Sequence, residues 1–310
     1  MRFWFKVLGT AAKNWSDDNA FKHSAAVSFY TLFSMAPITV IAVGIVGFFL
    51  GEEEANRQFL NQVALLAGKS SADTIEQAVK ASTTTEGNWV STIVGLVLLL
   101  VGATTVFGQM QDSLNSIWHV KSKPSRSGWI VVLFQRLISF AMVVTIGFVL
   151  LVSLIVTTLL TTFTRQLDGA WAPVLAKAVD FGIALAVITV LFACIFKILP
   201  DVKLRWRDVW SSAFLTALLF SGGRFLIAFY LGHSTVASVY GAAGSLVALL
   251  IWVYYSCAIL FFGVEFTRSF LEARGLKIVP KDTAVAVREE IVEGKRGKAL
   301  KTVEKVVRQT

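Results

Sequence analysis

Six long apolar segments constrain this chain more than any other feature, because a helix needs about 20 apolar residues to cross the hydrocarbon core of a bilayer. They are predicted at Phe33–Gly51, Trp89–Gly108, Ile130–Phe163, Lys177–Leu199, Val209–Leu231 and Ala242–Phe270. The third segment is too long for a straight crossing, so it must tilt, bend or extend beyond the bilayer. The sequence therefore predicts an all-α, polytopic membrane protein with six transmembrane helices.

The composition agrees with this class. Of the 310 residues, 55% are hydrophobic and 16% are charged, and the mean hydropathy is +0.67. Soluble domains average roughly 45–50% apolar and about 25% charged residues. A disordered chain, a disulfide-rich scaffold and an ordinary soluble enzyme are therefore excluded.

Positive charge is distributed unevenly among the connections between the segments. Lys and Arg are frequent before the first segment, between the second and third, between the fourth and fifth, and after the sixth. Because these residues are enriched on the cytoplasmic side of a membrane, both termini are expected in the cytoplasm. This topology also accounts for the net charge of +9, so we expect contact with anionic membrane lipids and no binding of nucleic acid.

Two regions flank the predicted bundle. A helix over Trp15–Ser34 is expected to be amphipathic, and Pro37 to end or kink it. The segment Gly275–Thr310 reads as a loose helix or as disordered. We divide the chain into residues 1–32, an amphipathic cytoplasmic segment; residues 33–270, the transmembrane domain with an outer loop at 52–88; and residues 271–310, a basic cytoplasmic tail.

The cysteines and histidines limit the chemistry. Cys194 and Cys257 lie in apolar runs and are interpreted as small buried residues. The three histidines are far apart in sequence, and none has the spacing of a metal-binding motif. The sequence contains no glycine-rich phosphate loop and no nucleophile elbow. It therefore predicts no enzyme active site, no metal site and no cofactor.

Two ionisable residues inside predicted spans are candidates for a transport site, because charges within a membrane are functional candidates by default. Glu265 lies near the inner end of the sixth segment, where it forms either a structural ion pair, with Lys197 as a possible partner, or part of a transport pathway. Arg224 lies within the fifth segment beside Gly222-Gly223. It pairs either with backbone carbonyls or headgroups, or with an anion or lipid headgroup that the protein handles.

A glycine-containing stretch just before the sixth segment is the sharpest local signal. It contains Tyr240, Gly241, Gly244 and Ser245. The glycines allow either close helix packing or the hinge of a substrate gate. Aromatic residues inside the sixth segment, Trp252 and Tyr254, are expected to pack, while Asn115 and Trp118 after the second segment are expected to cap a helix and anchor it at the interface.

Several short motifs, in order along the chain, resemble the YihY/BrkB family of inner-membrane proteins. They are Ala25-Ala26-Val27-Ser28-Phe29-Tyr30 running to Pro37; Leu114-Asn115-Ser116-Ile117-Trp118; Leu199-Pro200-Asp201-Val202-Lys203-Leu204-Arg205-Trp206; Tyr240-Gly241-Ala242-Ala243-Gly244-Ser245; Leu250-Ile251-Trp252-Val253-Tyr254; and Gly263-Val264-Glu265-Phe266. Where the family usually has Gly-Ala-Glu, this chain has Gly263-Val264-Glu265, which keeps the acid. The resemblance covers about residues 5–272 and leaves the tail outside.

The resemblance implies a six-helix protein of the bacterial inner membrane and adds Tyr30, Pro37 and Pro200 as structural candidates. Family members have been linked to envelope integrity, virulence, lipid export and cation–proton exchange. Others carry the label of a transfer-RNA processing ribonuclease (ribonuclease BN), which we reject because the sequence lacks a cluster of His and Asp metal ligands. The leading hypothesis is a transporter or lipid-handling protein of the envelope. The alternatives are a scaffold, a cation–proton exchanger and, least favoured, an intramembrane enzyme; homo-oligomerisation is possible.

Overall fold

A computed structural model of the chain describes residues 2–67, 72–77, 89–123, 172–233 and 244–287. The helices are α1 (Arg2–Asp17), α2 (Ala20–Leu50), α3 (Glu52–Ala67), α4 (Trp89–Ile117), α5 (Ala172–Ile198), α6 (Trp206–His233) and α7 (Gly244–Ala273), and the strands are β1 (Val120–Ser122) and β2 (Ala284–Ala286). Residues 72–77 form a further short helical segment. The fold is mostly helical, as the sequence predicts.

Three of the described helices contain stretches long and apolar enough to cross a membrane. These are Lys177–Ile198, Trp206–Ile227 and Leu246–Ala273, and they confirm the fourth, fifth and sixth predicted segments. The second predicted segment lies within helix α4, and the first lies within α2 except for Gly51, which caps that helix. The third, Ile130–Phe163, lies outside the described residues.

The N-terminal region departs from the prediction. The expected helix over Trp15–Ser34 is divided, because Asn19 adopts a left-handed backbone conformation (φ 55°) between α1 and α2. Asparagine tolerates this conformation better than most residues, so the chain changes direction there. Helix α2 then continues through Pro37 to Leu50, so the proline does not end it.

Helix α1 is amphipathic and lies against α7. Val7 and Ala11 are buried against Phe266 and Phe270 of α7. The ring of Trp4 stacks on the same two phenylalanines, with centroid distances of 6.3 and 5.5 Å. This packing fixes the N-terminal helix along the second half of the last one.

Helices α6 and α7 approach each other closely at two glycines. A Cβ atom at Gly223 of α6 would overlap the ring of Tyr255, and one at Gly263 of α7 would overlap the side chain of Thr216. Only a residue without a side chain allows helices to approach so closely. The glycine at position 223, which the sequence singled out, is therefore a packing contact between α6 and α7.

One end of the bundle is closed by a small antiparallel sheet, and we call it the sheet end. Strand β1 follows α4 and pairs with β2 from the C-terminal region, with Val120 opposite Ala286. Lys203, between α5 and α6, donates its backbone N–H to Val279 O at 2.8 Å. The sheet end thus gathers the residues around the start of α2, the ends of α4, α5 and α7, and the start of α6.

This arrangement corrects the prediction for the C-terminal segment. The first part of Gly275–Thr310 is neither a loose helix nor disordered, since residues 276–287 run across the sheet end and contain β2. The amide of Lys281 donates to Asp201 O at 2.8 Å, and Lys203 Nζ lies 2.8 Å from Asp282 Oδ1. The composition of this segment does not predict an ordered structure. Its order comes from backbone pairing with two connections of the bundle.

Candidate functional site

Glu265 is the most completely buried charged residue of the described chain. It lies on the face of α7 that packs into the bundle, between Val264 and Phe266, and its exposed fraction is 0%. Neither carboxyl oxygen has a hydrogen-bond partner among the described residues. The nearest cation is Arg268, whose Nη1 lies 3.8 Å from Oε2. Lys197 is not its partner, because Lys197 Nζ donates instead to the carbonyl of Leu204.

Arg268, one turn after Glu265, connects three parts of the chain. Its Nη1 donates to Asp18 Oδ2 at 2.6 Å and to the carbonyl of Ile117 at 2.8 Å. Its Nε donates to Glu272 Oε1 at 3.1 Å. The guanidinium therefore holds the link between α1 and α2 and the end of α4 against α7.

His119 completes a triangle with Arg268 and Asp18. Its Nδ1 lies 3.2 Å from Arg268 Nη2, and its Nε2 lies 3.2 Å from Asp18 Oδ1. A guanidinium only donates hydrogen bonds, so Nδ1 must accept and the proton of the neutral ring is assigned to Nε2, which donates to Asp18. The backbone of His119 is left-handed (φ 51°), which turns the chain from α4 into β1.

The pKa of Asp18 depends on its burial and on its charged neighbours. Burial raises the pKa of its carboxyl, but hydrogen bonding with Glu265 and His119, together with the charges of His119 and Arg268, lowers that pKa below its ordinary value of 3.8. Two ionised carboxylates only accept hydrogen bonds, so as charged groups Asp18 and Glu265 cannot hydrogen-bond to each other. A single proton on either group allows Asp18 and Glu265 to hydrogen-bond to each other.

A second buried acid, Asp201, lies beside this cluster and is fully hydrogen-bonded. Its side chain accepts from Gln111 Nε2 at 3.3 Å, Asn115 Nδ2 at 2.9 Å and Ser122 Oγ at 3.1 Å. Its backbone N–H donates to Asn115 Oδ1 at 2.8 Å. Asp201 thus joins α4, β1 and the connection after α5 without needing a cation.

Two predictions for the end of α4 are wrong. Asn115 is buried and binds Asp201 rather than capping a helix at the interface. Trp118 is 3% exposed and packs in the main core with Ile117 and Leu199, so it is not an interfacial anchor. Both side chains turn inward because the chain folds back into β1 directly after α4.

A cavity of about 380 Å³ opens at the sheet end, next to Asn115 and Ser122, which bind Asp201. Its lining includes side chains of both signs of charge. It is formed by Asp112, Asn115, Ser116, His119, Val120, Lys121, Ser122 and Val287. Burial, and then the charge of Asp201, raise the pKa of Asp112. His119 is the member of this lining that also contacts Arg268 and Asp18.

The other predicted site residues lie apart from this cluster. Arg224 lies on α6 with its guanidinium 5.3 Å from the ring centroid of Phe225. Tyr240 and Gly241 lie outside the described residues, while Gly244 and Ser245 begin α7, with Gly244 buried. Of the predicted hinge, the described part thus lies at the start of α7, whereas Glu265 lies in the second half of that helix.

The structural candidates are mostly placed in the bundle. Trp252 packs edge-on against Phe220, with ring centroids 6.2 Å apart, as expected for a buried aromatic. Tyr254 is half-buried and Pro200 is buried. Tyr30 is 37% exposed and lies edge-on to Phe29 at 5.8 Å.

Sequence reasoning missed Asp18, His119 and Arg268 as neighbours of Glu265. A signal existed for Arg268, because residues three apart on a helix share a face. Asp18 and His119 carry no such signal, since they lie 250 and 149 residues from Arg268 along the chain. Asp201 lies in one of the family-like motifs, but nothing in that motif indicates a hydrogen-bonding centre.

Comparisons with known proteins agree with the fold. A sequence model of the family described as Virulence factor BrkB matches residues 11–286. The match includes β2, so the family pattern extends beyond the predicted limit at residue 272. No solved structure matches the chain.

Curated relatives are named only as membrane proteins. A UPF0761 membrane protein of Xanthomonas campestris pv. campestris (strain B100) is 23% identical over 262 residues, which are 82% of this chain and 58% of the relative. One from Xanthomonas oryzae pv. oryzae (strain PXO99A) is 23% identical over 267 residues, 83% of this chain and 59% of the relative. The chain thus spans about three fifths of the length of these relatives. With the family pattern covering most of its residues, the chain belongs to the YihY/BrkB family of membrane proteins.

Proposed function

We propose that this protein is a proton-coupled transporter of the bacterial inner membrane, in which Glu265 binds and releases the coupling proton in exchange for a small cation. The observation that supports it is the complete burial of a carboxyl group in a membrane-spanning helix without a hydrogen-bond partner among the described residues. Ionisable residues inside membrane helices characteristically mark proton relays and ion pathways.

The energetics of Glu265 support exchange rather than a static ion pair. A buried carboxylate costs several kcal/mol of desolvation, which only close pairing and further hydrogen bonds offset. Arg268 lies 3.8 Å from Glu265 but only 2.6 Å from Asp18, so its direct hydrogen bond goes to the other acid. A proton would remove the charge of Glu265 and make it a hydrogen-bond donor, and a small cation would balance that charge.

The proposal includes the side of the membrane that the sheet end faces. The regions that the positive-inside rule assigns to the cytoplasm converge at the sheet end, where Lys121, Lys203 and Lys281 lie close to one another in the fold. We infer that the sheet end faces the cytoplasm, with both termini on that side. Glu265 would then lie toward the cytoplasmic half of α7.

The test is a flux measurement in liposomes that contain the purified full-length protein and an internal pH dye. An imposed K⁺ or Na⁺ gradient should drive a pH change in vesicles with the wild-type protein, and Glu265→Gln should abolish it. Glu272→Gln is the matched control, because Glu272 is on the same helix and contacts Arg268 but is 45% exposed. Equal flux in wild type and Glu265→Gln would refute the assignment.

A lipid-handling role is the second candidate, supported by the surroundings of Arg224. The guanidinium lies against Phe225, and the neighbouring Leu226 and Phe229 are exposed on α6. An arginine on an apolar, outward face near the end of a membrane helix suits an anionic headgroup. Native mass spectrometry of gently extracted protein tests this: lipid retained by wild type and lost in Arg224→Ala supports it, and identical spectra oppose it.

A further inference from the structure

We propose that His119 and Asp18 form a relay that carries protons between the cavity at the sheet end and Glu265. The inference rests on the proposed transport function and deepens it by naming the route by which the buried acid exchanges its proton. Its first element is access to water. His119 lines the cavity of about 380 Å³, and its side chain is 48% exposed.

The second element is a continuous series of proton-bearing groups. His119 Nε2 lies 3.2 Å from Asp18 Oδ1, which is within hydrogen-bonding distance. Asp18 and Glu265 in turn lie on either side of one guanidinium nitrogen, Arg268 Nη1, which is 2.6 Å from Asp18 Oδ2 and 3.8 Å from Glu265 Oε2. The geometry therefore places His119, Asp18 and Glu265 in series from the cavity to the buried acid.

The proton balance of one passage is simple. A proton from cavity water binds Nδ1 of the neutral imidazole, which breaks the hydrogen bond that Arg268 donates there. The Nε2 proton then moves to Asp18 Oδ1, and Asp18 gives a proton to Glu265 and returns to the carboxylate form. The ring, now protonated only at Nδ1, regains its first form by rotation or by exchange with water. One proton enters from the cavity and one reaches Glu265, and the reverse sequence releases it.

Charged groups from several elements face the members of the relay. His119 faces Asp18 from the link between α1 and α2 and Arg268 from α7, while Asp112 from α4 and Lys121 from β1 share its cavity. Asp18 and Glu265 both face Arg268, and Glu272 binds the far side of that guanidinium. The contact between Nε2 and Asp18 Oδ1 gives a proton bound by His119 a direct path onward to Asp18.

The left-handed backbone at His119 provides a clean experiment. Glycine adopts φ 51° without strain, so His119→Gly removes the ring, keeps the turn and leaves room in the cavity for free imidazole. In the liposome assay, His119→Gly should slow the pH change roughly tenfold or more. Added imidazole should restore most of the rate. His119→Asn, which tolerates the same backbone and hydrogen-bonds without carrying a proton, should be slow with and without imidazole.

The outcomes separate the relay from the transport function. If wild type is active, Glu265→Gln is inactive and His119→Gly is as fast as wild type, the relay is wrong while the proposed function stands. If His119→Gly is slow but imidazole restores nothing, His119 is structural and the relay is likewise wrong. Equal flux in wild type and Glu265→Gln refutes the function itself. Imidazole-dependent flux in His119→Gly that is absent in the double variant with Glu265→Gln supports the complete route.

Discussion

Asn115 and Asp201 bind each other reciprocally across the sheet end. Asn115 Nδ2 donates to Asp201 Oδ2 at 2.9 Å, and the Asp201 amide donates to Asn115 Oδ1 at 2.8 Å. One side chain therefore satisfies both the backbone and the carboxylate of a buried turn, 86 residues away along the chain. This pair joins two of the motifs by which the family is identified, and it explains why an asparagine and an aspartate stand there.

Removing the asparagine should destabilise the protein without touching Glu265. Asn115→Ala leaves the Asp201 amide without its partner and its carboxylate with fewer donors, at an expected cost of about 1–3 kcal/mol. Thermal unfolding in detergent should show a lower Tm. Ser116→Ala is the control, because Ser116 is exposed beside it and should leave the Tm nearly unchanged. An unaltered Tm in Asn115→Ala would mean that the pair contributes nothing to stability.

Removing Arg268 should cost more, because it leaves the buried Glu265 and the partly buried Asp18 without a cation. Arg268→Gln is expected to destabilise the protein by about 3–5 kcal/mol. Arg268→Lys should recover only part of this, since an ammonium cannot reproduce bonds to Asp18, Glu272 and the Ile117 carbonyl in one plane.

A double-mutant cycle isolates the pair that carries this effect. Asp18→Asn removes one of the stranded charges, so combining it with Arg268→Gln should lose less stability than the sum of the single variants. Chemical denaturation of the four proteins measures the coupling. Additive losses would show that Arg268 and Asp18 do not stabilise each other.

Hydropathy and charge alone predict the helical class and the spans in α5, α6 and α7, because a helix that crosses a membrane must consist mostly of apolar residues. They do not predict the sheet end. Residues 276–287 look like solvated tail, and their order comes from backbone pairing with β1 and with the connection at Lys203. Such pairing depends on which segments the helices bring together, which no local pattern encodes.

The candidate site was predictable to the same limited degree. Glu265 stands out because a charge in an apolar helix is expensive. Its neighbours in the fold do not stand out in the sequence, since Asp18 approaches Glu265 only after α1 folds along α7. Lys197, the partner that the sequence suggests, binds the Leu204 carbonyl instead.

The stability of the protein in acid should depend on Asp18. Its folded-state pKa lies below the ordinary 3.8, so its stabilising contribution is fully present above that pH and is lost as the pH falls through the folded-state pKa. Asp18→Asn should therefore lower stability near neutral pH and make the loss of stability in acid shallower. Urea titrations from neutral pH to below pH 3.8 measure this. Asp17→Asn, on the neighbouring exposed residue, should keep the wild-type pH profile.

The contact between α7 and α6 at Gly263 should be intolerant of even one methyl group. In Gly263→Ala the new Cβ overlaps the Thr216 side chain and lies 2.9 Å from the ring of Phe196, which in a packed core costs about 1–3 kcal/mol. Gly182→Ala is the matched control, because nothing lies within 4 Å of its Cβ position in α5 and alanine favours the helix. Thermal unfolding should show a lower Tm for the first variant and an equal or higher Tm for the second. Adding Thr216→Ala to Gly263→Ala removes the overlapping oxygen, so it should recover part of the loss. If the double variant loses more free energy of unfolding than the two single variants together, the destabilisation does not arise from this contact.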